Sequence, residues 1–364
     1  MANEATVQAR EAETAAVPVE RVPRSRVADQ DLSQLGFGRV FADHMFLAEY
    51  EQGRWSSGRI LPYGPLPLEP SITGLQYALA VFEGMKAHRA ADGRLLLFRP
   101  GDNARRLQRS AARLAMPPVP ETLFLSALRQ LLHEDREWAP PHGVGALYIR
   151  PVQFSNDPAI GVRPAERFLF SIFTSPFAKY YGAPVDVMVS DRYARAFPGG
   201  TGDVKPAGNY AGAMLADREA KEQGCQSVLW LDAETHRYVE ECGVMNVFAV
   251  FRDRILTPPL TGTILPGITR DSVITLLRAL GHVVEEARFT IDEVLSAHDR
   301  GDLLEFFGTG TAATVTSVRS IRYKDRVIEL PPVTPDGVGA RVRDRLVGIA
   351  SGRDTDPYGW VEPA

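Results

Sequence analysis

Apolar positions along the chain follow two different periods. From Asp102 to Met116 and from Thr122 to Trp138, leucines and alanines recur three and four residues apart, the spacing of amphipathic helices. The runs at 95–100 (LLLFRP), 146–154 (ALYIRPVQF) and 167–176 (RFLFSIFTSP) are short, apolar and bounded by polar or turn residues, and they read as strands. Farther on, VDVMVSD, QSVLWLD and GVMNVFAVF also read as strands. A helix from Asn209 to about Gln223 is closed by Gly224, and another follows LPGITRDS and ends near Gly281. Both halves are therefore α+β. The run AKYYGA followed by Pro184 predicts a linker at 178–184, between a smaller α+β domain at 33–177 and a larger one at 185–364. Residues 1–32 hold no aromatic residue and no sustained period, which predicts a mobile tail.

Composition narrows the function classes. The chain has 364 residues, 45% hydrophobic and 24% charged, enough to bury a real core and too apolar for general disorder. No apolar run reaches the ~18 residues of a membrane helix, and the first residues lack the apolar core of a secretory signal. A soluble, cytoplasmic protein without a membrane partner is expected. A net charge of −4 argues against nucleic acid as a partner. Cys225 and Cys242 make neither a disulfide framework nor a metal-ligand spacing, so no metal is expected. Of 41 basic residues only Lys86, Lys179, Lys205, Lys221 and Lys324 are lysines. Chemistry that needs an amine has five candidates.

Lys221 and Lys324 read as solvated charges, and for Lys86 and Lys179 a structural role is the favoured reading. Lys205 stands in PGGTGDVKPAGNYAGA, where the glycines permit unusual dihedrals and close ligand approach. A Schiff-base amine and a plain surface loop both fit that setting. In YVEECGVMNVF, alternation sends Glu240 and Glu241 to opposite faces; an inward carboxylate needs a cation, whether a protonated pyridine or one of the arginines. The Pro-Gly of TGTILPGITRDSV leads into a helix start, whose free amides suit phosphate but are common. Gly308, Gly310 and Ala313 fit G-x-G-x-x-A, yet TVTSVRSIRY after them alternates like a strand, which disfavours a dinucleotide fold.

Taken together, FGRVFADHM, LQYALAVFEGMKAHR, LFRPGDNARRLQRSA, LYIRPVQFSNDPAIGV, the Lys205 loop with GNY, ECGVMNVF, ILPGITRDS and FGTGTAATV resemble the branched-chain amino acid aminotransferases, in that family's order across most of 37–326. The resemblance implies a two-domain fold type IV enzyme, D-amino acid aminotransferase-like, using pyridoxal 5′-phosphate (PLP). It implies transamination between Leu, Ile or Val and 2-oxoglutarate in amino acid metabolism. Lys205 would be the Schiff-base lysine and proton shuttle. Glu241 would pair with the pyridine nitrogen, and Tyr210 would bond the phenolic oxygen. Arg106, the Ile268 and Thr269 amides and the Thr311 hydroxyl would hold the phosphate.

For the substrate, the resemblance implies a pocket of Phe37, Tyr77, Phe82, Tyr148, Val162 and Tyr180, with Val244 trimming it. The Thr311 and Ala312 amides would take the α-carboxylate, and Arg150 the second carboxylate of glutamate or 2-oxoglutarate. A homodimer with pockets completed near the subunit boundary is also implied. Pro206 and Ala207 depart from the glycine pair of many relatives. Ala313 and Thr316 replace the redox-active cysteines of the mammalian enzymes. A D-amino acid aminotransferase or aminodeoxychorismate lyase would share the lysine and phosphate cradle; FEGMK, the LYIRP arginine and the Gly-Thr-Ala turn favour the first reading over these, and the strand after that turn disfavours an NAD-dependent oxidoreductase.

Overall fold

A computed structural model describes residues 17–178 and 183–364. The first part of the predicted tail and the linker residues Lys179 and Tyr180 lie outside the described residues. The strands, in chain order, are β1 His44–Glu51, β2 Arg54–Trp55, β3 Arg59–Pro62, β4 Ala80–Phe82, β5 Met85–Arg89, β6 Leu95–Phe98, β7 Ala146–Ser155, β8 Phe168–Phe177, β9 Val185–Ser190, β10 Ser227–Leu231, β11 Val239–Cys242, β12 Met245–Phe251, β13 Ile255–Thr257, β14 Val284–Glu286, β15 Leu303–Gly310, β16 Thr314–Tyr323, β17 Arg326–Glu329 and β18 Val361–Pro363. The α-helices are α1 Thr73–Gln76, α2 Pro100–Arg113, α3 Glu121–Glu134, α4 Gly208–Ala211, α5 Met214–Glu222, α6 Ile268–Ala279, α7 Ile291–Asp299 and α8 Val338–Ala350.

The strands form two sheets. The first runs β18-β6-β5-β7-β8-β1-β2, with β3 on β1 and β4 on β7; the second runs β11-β10-β9-β16-β15-β12-β13-β14, with β17 on β16. In β7, Leu147 and Ile149 join a core with Leu107 and Ala111 of α2 and Leu128 and Leu131 of α3. Strand alternation therefore turns Tyr148 and Arg150 to the opposite face. In β12 the same alternation divides two cores: Val247 and Ala249 pack with Ile291 and Val294 of α7, while Phe248 and Val250 pack with Val273 and Leu277 of α6 and Val342 and Leu346 of α8. The second sheet is thus covered by helices on both faces, and its central strands are apolar on both sides.

Several sequence expectations shift. The helix predicted from Asn209 is two short helices, α4 and α5, interrupted at Gly212 and Ala213. The strand after Gly310 is β16, so no helix follows the glycine fingerprint and the dinucleotide reading fails. The C-terminal β18 returns to the first sheet, pairing Val361 with Phe98, so the last residues belong by pairing with the first unit. Residues 17–26, mostly solvent-exposed, are tied at several points to the first unit where a mobile tail is predicted. Val17 is buried, Val19 bridges Ile60, Arg21 pairs with Glu134 at 2.8 Å, and Ser25 Oγ and Arg26 Nε donate to Asp43 at 2.6 and 3.0 Å. Long-range polar contacts hold this segment, and a local apolar pattern does not report them.

Asp43 is the anchor of that segment. It is buried and also accepts from the Trp138 indole at 2.9 Å. Burial alone would raise its carboxyl, but the donors from Ser25, Trp138 and Arg26 hold it below its ordinary value. Asp43→Ala leaves the indole N–H without its acceptor and releases Ser25 and Arg26. It is expected to lower stability by about 3 kcal/mol in urea unfolding and to open residues 17–30 to limited proteolysis. A digestion pattern identical to that of the unsubstituted protein would show that Asp43 does not anchor the segment.

Candidate active site

Lys205 sits where the two sheets meet. Val81 of β4 bridges Pro206, the Phe82 amide donates to Lys205 O at 3.2 Å, and the Ala207 amide donates to Ala80 O at 2.9 Å. This pairing uses Lys205 O and the Ala207 N–H, so the missing amide of Pro206 breaks nothing. The Lys205 amide donates to Ser110 Oγ at 3.0 Å. Its Nζ donates to Tyr210 Oη at 2.6 Å. Asn209 closes the loop behind it, donating to Thr201 O at 2.7 Å and Val204 O at 3.3 Å.

Both carboxylates of the Glu240–Glu241 pair are buried, although they leave β11 on opposite faces. The hairpin that presents them turns at Gly243, whose φ is +57° and where a Cβ would meet Ser227 Oγ at 2.4 Å, so a larger residue is disfavoured. Glu240 accepts from Thr263 Oγ1 at 2.5 Å. Glu241 accepts from the Leu265 amide at 2.8 Å and pairs with Arg195 Nε at 3.1 Å. Burial raises Glu241 above its ordinary value, and the Arg195 charge opposes that rise. Arg195 also donates through Nη2 to Gly202 O at 3.0 Å and to Thr263 O.

Arg106 of α2 reaches the start of α6. Its Nη1 donates to Pro266 O at 3.1 Å, while Nε and Nη2 grip Glu83 at 2.7 and 2.8 Å. Burial alone would raise Glu83, but the Arg106 guanidinium outweighs it and holds the carboxyl below its ordinary value. Arg99, the N-cap of α2, ties the same two helices together, donating to Asp271 and Ser272 at 2.6 and 2.9 Å. Gly267 caps α6 where a Cβ would meet Asn246 Oδ1 at 2.0 Å. The amides of Ile268 and Thr269 open that helix, ahead of its internal ladder, and present positive partial charge.

The remaining predicted residues divide into two groups. The Phe82 ring lies 4.8 Å from that of Tyr210, with Lys205 Nζ 4.8 Å and the Arg150 guanidinium 4.6 Å from its centroid. Arg150 Nη2 donates to Tyr148 Oη at 3.2 Å. Tyr148 meets Phe37 edge to face at 4.8 Å, and Ala312 joins that cluster. Thr311 lines a cavity of about 50 Å³ with Thr269, Asn103 and Lys86. Lys86 donates to Thr314 Oγ1 at 2.9 Å, and burial pushes it down to about 7.

Three pocket residues expected from the resemblance are instead largely open to solvent: Tyr77 at 45%, Val244 at 55% and Val162 at 92%. Side chains so exposed build no enclosed wall within one chain. Tyr180 lies outside the described residues. Sequence reasoning missed Glu83, Asn103 and Arg195. No local signal marks them: an acid in FEG and an arginine in NARR require one another only once both are inside, and that is a property of the fold.

The amino-transferase class IV family matches residues 80–321. The branched-chain-amino-acid aminotransferase of Mycobacterium tuberculosis (strain ATCC 25618 / H37Rv) is 45% identical over 339 residues, covering 91% of this chain and 92% of that protein. The branched-chain-amino-acid transaminase 1 of Bacillus subtilis (strain 168) is 44% identical over 336 residues, covering 91% and 94%. Among solved structures, the branched-chain amino acid aminotransferase of Thermobaculum terrenum in its PLP form superposes with a TM-score of 0.74 at 26% identity, covering 88% of this chain and 98% of that one. With a lysine loop, a buried carboxylate and a helix start meeting in the cleft that this family match spans, the chain belongs to the class IV aminotransferases.

Proposed function

We propose that the protein catalyses PLP-dependent transamination between a branched-chain L-amino acid (Leu, Ile or Val) and 2-oxoglutarate. The observation that supports this reading is one chain of hydrogen bonds and an ion pair through the cleft. Arg195 holds both Gly202 O of the lysine loop and Glu241; Glu241 accepts from Leu265, and the next residue, Pro266, accepts from Arg106. An amine, a buried carboxylate and an arginine at a helix start form a donor set that suits a phosphorylated pyridine aldehyde.

In this reading Lys205 would hold the cofactor's aldehyde, and Tyr210 its phenolic oxygen. Glu241 would face its ring nitrogen, and Arg106, Thr311 and the Ile268 and Thr269 amides its phosphate. Bound PLP supplies an aldehyde for amine exchange and a ring that withdraws electrons from the reacting carbon. Lys205 Nζ, located by its bond to Tyr210 Oη, takes the proton from the substrate Cα. Arg195 favours the anionic form of Glu241, which in turn favours a protonated ring nitrogen.

Phe37, Phe82 and Tyr148 bury the aliphatic side chain, a contribution of ~1.5–3 kcal/mol. The Thr311 and Ala312 amides take the α-carboxylate. Arg150, held by the Tyr148 hydroxyl, receives the second carboxylate of 2-oxoglutarate. Exposed Tyr77, Val162 and Val244 support a homodimer in which a second copy covers them and completes the wall. The cytoplasm is the proposed compartment, in keeping with two buried free cysteines. Among the described residues no helix is long and apolar enough to cross a membrane.

Lys205→Ala is expected to lower leucine–2-oxoglutarate turnover by about 10³-fold or more while leaving the melting temperature near that of the unsubstituted enzyme. Turnover of ordinary size in that variant refutes the assignment. In single-turnover measurements, Arg150→Ala should slow the 2-oxoglutarate half-reaction about tenfold more than the leucine half-reaction; equal losses would remove its role. Arg195→Met removes the cation that opposes protonation of Glu241. The carboxyl then keeps its proton to higher pH, so the acid limb of the kcat/KM profile should move to higher pH. A limb that stays in place would show that Arg195 does not control Glu241.

A further inference from the structure

Glu83 has no part in the roles assigned above, yet its side chain is 0% exposed and that of its partner Arg106 is 5% exposed. A buried charge without a task is expensive to retain, and a pair of apolar residues often replaces such an ion pair without loss. The geometry shows what this pair does. An arginine carries five N–H donors. Glu83 takes Nε and one hydrogen of Nη2, and Pro266 O takes one hydrogen of Nη1. One N–H on each Nη nitrogen is left, at the end of the guanidinium that lies against the start of α6.

Glu83 is itself fixed. Asn103 Nδ2 donates to its Oε2 at 2.8 Å and to Gly84 O at 3.3 Å, and the Gly84 amide donates to Oε2 at 3.2 Å. A carboxylate bonded this way stays on the Nε edge and does not compete for the Nη ends. An arginine whose fork is already oriented loses less side-chain freedom when an anion arrives.

We propose that Glu83 is a positioning residue for cofactor binding: with Asn103 behind it, it orients Arg106 so that the free Nη N–H groups, beside the opening amides of α6, meet the cofactor's phosphate. This inference rests on the functional reading above. Glu83 acts through Arg106 and touches neither substrate nor cofactor.

The test compares two probes on the apoenzyme, PLP and pyridoxal, which lacks the phosphate, each titrated by change in protein fluorescence. Glu83→Gln should weaken PLP binding about tenfold, the equivalent of ~1.4 kcal/mol, and leave pyridoxal binding unchanged. In an Arg106→Gln background, adding Glu83→Gln should produce no further loss, because the residue through which it acts is gone. If Glu83→Gln does not fold, Asn103→Ala provides the same comparison, with a loss of about threefold for PLP alone.

Unchanged or tighter PLP binding would overturn the proposal, and tighter binding would mean that Glu83 competes with phosphate for Arg106. Equal losses for PLP and pyridoxal would also overturn it, since that is the signature of a general structural role. An unsubstituted apoenzyme that binds neither probe would sink the functional reading itself, a result distinct from the other two.

Discussion

The site depends on the backbone pairing between β4 and residues 205–207. Two backbone hydrogen bonds, from the Ala207 amide to Ala80 O and from the Phe82 amide to Lys205 O, pair Val81 with Pro206 and fix the lysine loop against a strand of the first sheet. Lysine has a long, mobile side chain, and its amine is useful only if the main chain beneath it does not move. Here the same strand that fixes the backbone also supplies Phe82, whose ring lies beside the amine, the Tyr210 ring and the Arg150 guanidinium. Shape and chemistry therefore come from one contact. A loop rich in glycine would otherwise be among the least ordered parts of the chain.

Electrostatics in the cleft follow one rule, repeated twice. Two buried carboxylates are each paired with an arginine, Glu241 with Arg195 and Glu83 with Arg106. Burial works against both carboxylates, and the outcome differs: Glu83, gripped by both ends of a fork, lies below its ordinary value, while Glu241, with a single ion-pair contact, lies above it. The difference suits the two locations. In the proposed roles, a carboxylate that only orients a neighbour can be fully compensated by it, whereas one that would face a further cation keeps part of its demand unmet.

Much of this arrangement was legible before the fold. The scarcity of lysine drew attention to Lys205, and the run at 146–154 read as the strand that carries Tyr148 and Arg150. The helix start after Pro266 and the strand after Gly310 followed from local pattern. What the sequence did not report depends on contacts between distant segments. Asp43 receives Ser25, Arg26 and Trp138 from separate parts of the chain, and β18 pairs with β6 across most of its length. Glu83 and Arg195 escaped notice because an acid or an arginine in a charged sequence carries no mark of burial. Val162 illustrates the opposite limit: its correspondence to a pocket position is clear, but one chain alone leaves it 92% exposed.

The central claim is that the amine at position 205, and no other, engages the cofactor. The most direct measurement is to incubate the folded protein with excess PLP, reduce with borohydride, digest, and weigh each lysine-containing peptide. The account predicts a stoichiometric phosphopyridoxyl mass increment on the peptide containing Lys205. An increment confined to Lys86, Lys179, Lys221 or Lys324, or no increment on any peptide, would contradict it.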